Sequence, residues 1–156
     1  MITIMSTQLQ SLFDGLRGQE FSFLAGQHVF QATDPVRLIH LVRSGSIFLT
    51  RRQRDGAALV LQRASAGSVL AEASVYSDRY HCAAEAQSHA VTWGVPRRDF
   101  RKRITTDGTY ANAWATHLAQ EVQRARLQAE IVSLRTVAAR VSAWLSWNRQ
   151  LPPKGE

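Results

Sequence analysis

The chain of 156 residues is short of several things at once: it has one cysteine, Cys82, four prolines, and only 12 acidic residues against 19 basic ones. One cysteine leaves no internal disulfide framework, no thiolate cluster for zinc and no ligand set for an iron–sulfur centre, which fits a reducing, cytoplasmic setting. Its apolar runs fall well below the roughly 20 residues a membrane span needs. The opening MITIMSTQLQ has no basic segment ahead of an apolar core, so neither export nor a membrane partner is expected.

Catalytic patterns are missing too. There is no nucleophile elbow, P-loop, Ser-His-Asp order or pair of neighbouring carboxylates; Asp55, Asp78 and Asp99 sit at turns or a helix start, where local backbone bonding accounts for them. No enzyme is expected. The five histidines, His28, His40, His81, His89 and His117, are scattered without ligand spacing, so no metal site is expected. His81 and Cys82 are adjacent, and neighbours on a strand face opposite ways, so they do not share a haem iron.

What is present begins with arginine. Of the 19 Lys and Arg residues all but Lys102 and Lys154 are arginine, and the formal net charge is +7. The guanidinium fork suits phosphate, which favours an anionic partner. The alternative is plain solvation, because the charges fall in separate clusters: Arg51, Arg52 and Arg54; Arg97, Arg98, Arg101, Lys102 and Arg103; Arg124 and Arg126.

Leu9, Leu12, Phe13 and Leu16 recur at helical spacing and stop at Gly18, predicting one short opening helix with a glycine cap. From Glu20 to Val95 the texture is short alternating or β-branched runs, FSFLAG, HVFQA, RLIHLV, SIFLTRRQ, ALVLQRA and VTWGV, divided by turn signals every ten or so residues. That rhythm predicts an antiparallel sandwich or roll, mainly β with flanking helices, with Asp55-Gly56 as a type I′ hairpin tip. Pro96 opens a helix at its N1 position, PRRDFRKRI, and a longer one runs from about Thr109 past Leu134.

The long helix carries two apolar stripes. Trp114, Leu118, Val122, Ala125, Ala129 and Val132 form one; Leu127, Ile131, Leu134, Ala138, Val141 and Leu145 form the other. Two stripes need two surfaces, so one is expected on the chain's own roll and the other on a symmetry-related helix. The homodimer interface is expected from Leu118, Val122, Ala125, Leu127, Ala129, Ile131, Val132 and Leu134. Thr136 to Trp147 fits a further amphipathic helix, and Pro152-Pro153 ends it.

The order of LAGQHVFQATDPVRLIHLVRSGSIFLTRR, then Asp55-Gly56, then SAGSVLAEASVYSDRYHCAAEA, then Pro96 and Phe100 resembles the effector half of Crp/Fnr-type transcription regulators over about residues 8 to 150. The resemblance implies a jelly-roll-like cyclic-nucleotide-binding fold at 8–106, a dimerisation helix at 107–135, and at 136–156 the start of a winged helix-turn-helix domain that is cut off. It also implies a phosphate-binding cassette after Gly67, with Glu72 on a ribose hydroxyl. Ala71 stands where that cassette has glycine, and His81-Cys82 where it has Arg-Ser. Arg79, of the same strand parity as His81, is the available substitute, and Ala125-Arg126 stand where hydroxyl residues would reach the base.

The candidate ligand-binding residues are therefore Leu70, Ala71, Glu72, Arg79, His81, Cys82, Ala83 and Arg126. They imply a degenerate pocket, either for cAMP, another cyclic nucleotide or a different small effector, or vestigial and filled by side chains, in a homodimer whose DNA contact lies outside these residues. Cys82 as a small core residue is the structural alternative. An effector-independent dimeric scaffold, with Trp144 and Trp147 as anchors, is the alternative function.

Overall fold

The computed structural model describes residues 9–150, with side chains as far as Trp147. Eight strands, β1 (Gln19–Phe23), β2 (His28–Phe30), β3 (Leu38–Ser44), β4 (Ile47–Arg52), β5 (Ala58–Ala64), β6 (Val69–Leu70), β7 (Ala83–Ala86) and β8 (Ala90–Pro96), precede three helices. The helices are α1 (Arg97–Thr106), α2 (Gly108–Ser133) and α3 (Val137–Gln150), and a 3₁₀ helix, Glu72–Tyr76, lies between β6 and β7. Two four-stranded antiparallel sheets form the roll, in the orders β1-β8-β3-β6 and β2-β7-β4-β5.

Alternation builds each sheet. In β4, Ile47 and Leu49 are buried while Phe48 and Thr50 are half-buried, the period of two that a sheet with one packed face requires. β7 reads AAEA, a run of small residues with low strand propensity. Its fully buried Ala84 and Ala86 let it sit between β2 and β4. Tertiary packing overrides propensity there.

The helices close the roll through one aromatic hub. Phe100, the buried residue of α1, has its ring 5.0 Å from Trp114, 5.5 Å from Phe13 and 5.6 Å from Tyr110. Burying one such ring contributes about 1.5–3 kcal/mol. Tyr110 also donates from its hydroxyl to the carbonyl of Leu12 at 2.7 Å, so the opening segment and α2 hold each other. Asp107 caps α2 by accepting from the N–H of Tyr110 at 3.0 Å.

Several expectations need correction. The opening helix does not reach Gly18: residues 9–11 are helical, then the chain turns, with Gly15 at φ +74°. Gly18 matters for another reason, since a Cβ there would lie 2.6 Å from Nε1 of Trp93. The β4–β5 hairpin exists, but its tip is not type I′. Only Gly56 has positive φ, and Gln53 donates its N–H to the carbonyl of Ala57 while its own carbonyl accepts from the N–H of Gly56, so the turn is a longer loop ending in one left-handed residue. Pro96 closes β8 and precedes α1 by one position rather than occupying N1.

The long helix stops earlier than its apolar pattern suggests. Leu134 is extended, at φ −67° and ψ 134°, and Thr136 caps α3 by accepting from the N–H of Ala139 at 3.1 Å. The second stripe therefore does not run as one seam from Leu127 to Leu145. Trp114 is buried and Leu118 packs against the core, whereas Val122, Ala125, Ala129 and Val132 are exposed and Leu127, Ile131 and Leu134 half-buried. Expectations on residue 8 and on residues 151–156, the Pro152-Pro153 stop among them, lie outside the described residues.

Candidate functional site

The cassette begins where β6 ends. Leu70 is buried opposite His40 of β3, and the next residue turns the chain with φ 50° and ψ 48°. That left-handed residue is Ala71, at a position suited to glycine, and its Cβ makes the conformation cost about 1–2 kcal/mol. Ser74 and Val75, both buried, anchor the 3₁₀ helix that follows. Glu72 is thereby aimed inward.

The carboxyl of Glu72 enters a poor environment for charge. Burial pushes its pKa up from 4.5 to about 7, and the charge of Glu121 adds to the rise. Its own backbone N–H, the side chain of Gln62 and the charge of Arg124 pull the other way. Gln62 comes from β5 and is fixed by donating from Nε2 to the carbonyl of Val69 at 3.0 Å. Glu121 and Arg124 come from α2 and pair with each other. The cassette carboxyl thus sits at a seam between the roll and the long helix.

Residues 77–82 are tied elsewhere. Arg97 donates to the carbonyl of Ser77 and, at 3.0 Å, to Oδ1 of Asp78. Arg79 makes an isolated bridge with Pro35 and donates from Nη1 to the carbonyl of Thr33 at 2.7 Å. β7 starts only at Ala83, so strand parity does not carry from Arg79 to His81. Tyr80 is buried with its ring stacked on Phe30 at 3.6 Å. His81 is exposed and Cys82 buried, although both precede β7 and the strand alternation expected of them does not apply. Burial raises the Cys82 thiol pKa, with Arg51 opposing and Glu72 adding.

The guanidinium near His81 and Cys82 is that of Arg51. From the end of β4 its Nε donates to the carbonyl of His81 at 3.2 Å. Of the expected ligand-binding residues, Leu70, Ala71, Glu72, Cys82 and Ala83 gather around the cassette. Arg126 is exposed on α2, while Arg124 is the arginine whose charge acts on Glu72. In the sequence Gln62 and Glu121 were passed over, while Arg51 and Arg124 stood out only as members of basic clusters and His117 only as one of the scattered histidines. Gln62 alone carried a signal, as the polar residue of the Val60, Gln62, Ala64 parity in β5.

His117 is buried one turn beyond Trp114, ring centroids 5.3 Å apart. Burial lowers its pKa foremost, with Arg124 acting the same way and Glu121 opposing. Two clefts, of about 460 Å³ beside Arg37 and Arg97 and about 220 Å³ beside Phe30 and His40, leave Glu72 out of their linings. Among the described residues no group of three or more His, Cys, Asp or Glu side chains is placed to hold a metal ion, and no helix is long and apolar enough to cross a membrane.

Residues 20–107 match the family model described as the cyclic nucleotide-binding domain. No match is found among curated proteins. Among solved structures, the chain is similar to FixK2 from Bradyrhizobium japonicum, with 22% identity and a TM-score of 0.74 over 90% of this chain and 70% of that one. It is similar to the sensor domain of the transcriptional regulator DNR from Pseudomonas aeruginosa, with 19% identity and a TM-score of 0.64 over 86% and 96%. The catabolite activator protein of Thermus thermophilus gives 23% identity and a TM-score of 0.64, over 78% of this chain and 62% of that one. At these identities the likeness shows a shared fold.

Proposed function

The chain belongs to the cyclic nucleotide-binding domain family, and from that premise we propose that it is the effector-sensing and dimerising part of a Crp/Fnr-type transcription regulator, with a pocket that has lost part of the cyclic-nucleotide set. The observation that carries this reading is the position of Glu72. Its buried carboxyl feels the charges of Glu121 and Arg124 on α2, so a ligand that engages Glu72 changes the electrostatics of the helix that would meet a second copy. Differential binding of that kind is what couples an effector to subunit packing. The transcriptional regulator and catabolite activator among its structural neighbours support the same role. DNA contact belongs to a winged helix-turn-helix domain that starts at about residue 136 and whose recognition helix lies outside residues 9–150.

The departures from the cassette pattern support the loss. His81 stands where an arginine is expected, and Arg79 is committed to Thr33. The test is hydrogen exchange along α2 with and without 1 mM cAMP or adenosine. Ligand-dependent protection of residues 117–133 supports the sensor. Exchange unchanged by bound ligand contradicts it.

The exposure of Val137, Val141, Trp144 and Leu145 on α3 favours a second reading, an effector-independent dimeric scaffold with α3 as its docking helix. A truncation before Val137 that abolishes partner capture, in a protein whose melting temperature no small molecule shifts, would decide for the scaffold.

A further inference from the structure

The cleft of about 220 Å³ opens on the roll where the connection from β2 to β3 passes Tyr80, with Glu72 outside its lining. Its floor is Phe30, His40 and Tyr80, each at most 6% exposed, and its rim is Asp34, Pro35 and Arg37, all exposed. Three backbone bonds hold that rim in place. The N–H of Thr33 donates to the carbonyl of Tyr80, that of Tyr80 to Asp34 and that of Val36 to Asp78, at 2.8, 3.0 and 2.9 Å. A rim fixed in this way binds without first having to be ordered.

The floor carries one polar atom with no protein partner. Nδ1 of His40 meets Oγ1 of Thr92 at 3.0 Å. Its Nε2 has no hydrogen bond among the described residues and is not one of the polar atoms sealed from solvent, so it opens to the cleft. Burial lowers the pKa of this ring to about 4, so at pH 7 it is neutral, and Nε2 offers one N–H or one lone pair according to tautomer. Tyr80 has nothing polar left to offer, since its hydroxyl donates to the carbonyl of Leu38 at 2.8 Å and its ring is stacked on Phe30.

The rim carries one charge of each sign. The guanidinium of Arg37 has no acceptor among the described residues. Asp34 uses Oδ2 on the N–H of Gln31 at 2.8 Å, which leaves Oδ1. A plain anion would meet Asp34 there, and a plain cation would meet Arg37. The larger cleft, which Arg37 also lines, lacks both features: it has no buried polar floor, and its Arg97 and Arg98 are paired with Asp78 and Asp99.

We propose that the smaller cleft takes an aromatic α-amino acid with a hydroxyl on its ring. The ammonium meets Asp34, and the carboxylate takes the guanidinium fork of Arg37. The ring lies against Phe30, Leu38 and Tyr80. The hydroxyl, donor and acceptor at once, meets Nε2 of His40 in either tautomer. This gives the domain a second effector site, independent of Glu72.

L-Tyrosine, tyramine, 3-(4-hydroxyphenyl)propionate and L-phenylalanine test the contacts in turn. Each is titrated into the full chain by calorimetry while the imidazole resonances of His40 are followed by nuclear magnetic resonance. L-Tyrosine is expected to bind and to move those resonances. The other three, which lack the carboxylate, the ammonium and the hydroxyl respectively, are each expected to bind at least tenfold more weakly. Asp34→Asn, which keeps an acceptor for Gln31, and Arg37→Gln are expected to weaken L-tyrosine at least tenfold with the melting temperature unchanged; where either fails to fold, the four ligands on the unaltered chain carry the test. Neither heat nor resonance shift with L-tyrosine overturns the site and leaves the sensor reading standing. Binding that both variants leave unchanged also overturns it, because the amino acid then sits elsewhere. Equally tight tyramine or propionate overturns the paired-charge assignment, and equally tight L-phenylalanine overturns the part given to His40.

Discussion

The carboxyl of Glu72 is buried beside the side chain of Gln62, whose own Nε2 is committed to the carbonyl of Val69. That relationship makes Glu72 a source of pH-dependent stability. Its pKa is raised by burial from 4.5 to about 7, so the folded state holds a proton that the unfolded state has released across this window. Its contribution to stability is complete below pH 4.5, falls as pH rises, and is gone above about 7. The loss is at most about 3 kcal/mol. His40, whose pKa burial lowers to about 4, and His117, also lowered, act in the opposite sense, adding stability as pH rises toward 6.5. Urea titrations of the wild type and Glu72→Gln at pH 5 and pH 7.5 isolate Glu72: the variant loses the downward component and the wild type keeps it.

Ala71 holds a left-handed backbone conformation with a Cβ attached. Ala71→Gly is expected to raise stability by about 0.5–1 kcal/mol, since glycine relieves the clash while giving back some unfolded-chain entropy. Ala71→Val, β-branched at the same φ, is expected to destabilise. The midpoints of urea unfolding check both.

Phe100 touches Phe13, Tyr110 and Trp114 with its ring. Phe100→Ala is expected to cost about 3–5 kcal/mol, because the hub joins the opening segment, α1 and α2 and has no room to collapse evenly. Thermal unfolding reads it directly. A change below 1 kcal/mol would mean that the hub does not hold α2 on the roll.

Val122 and Val132 are exposed on α2, at 49% and 64%, and with Ala125 and Ala129 they keep a 3,4 spacing suited to a helix pair. Light scattering is expected to give twice 17.4 kDa. Val132→Glu is expected to reduce that mass by half while leaving the circular dichroism of the roll unchanged.

Much of this was legible in the sequence, for physical reasons that differ by element. β4 and β8 announce themselves through their β-branched and aromatic residues, and β3 and β5 through short apolar runs between turn signals. β6 is two residues long and β7 is alanine around one glutamate, so neither carries a pattern. The break between α2 and α3 was placed at residues 135 and 136, close to the observed end at Ser133, but the apolar spacing that continues across it made Leu127 to Leu145 read as one stripe.

At the site, Glu72 was reached only through the resemblance to the family's cassette after Gly67, because a single glutamate after a turn carries no signal of its own. Arg51 and Arg124 were not, because what makes them relevant is where β4 and α2 bring them, about twenty and fifty residues from Glu72 in the chain. Arg79 was expected near the cassette on strand parity. The chain is not a strand there, so the parity rule had nothing to act on.

The central claim, that occupancy of the cassette is felt by paired α2 helices, is tested most directly by the distance between two copies of α2. Val132→Cys in a Cys82→Ala background gives one spin label per chain, and pulsed electron spin resonance reads the label-to-label distance with and without a saturating probe, adenosine or cAMP, whichever calorimetry shows to bind. A resolved distance is expected in the free protein, and it shifts when ligand is bound. A single-spin signal, or a distance unchanged by ligand that calorimetry shows to be bound, would contradict it.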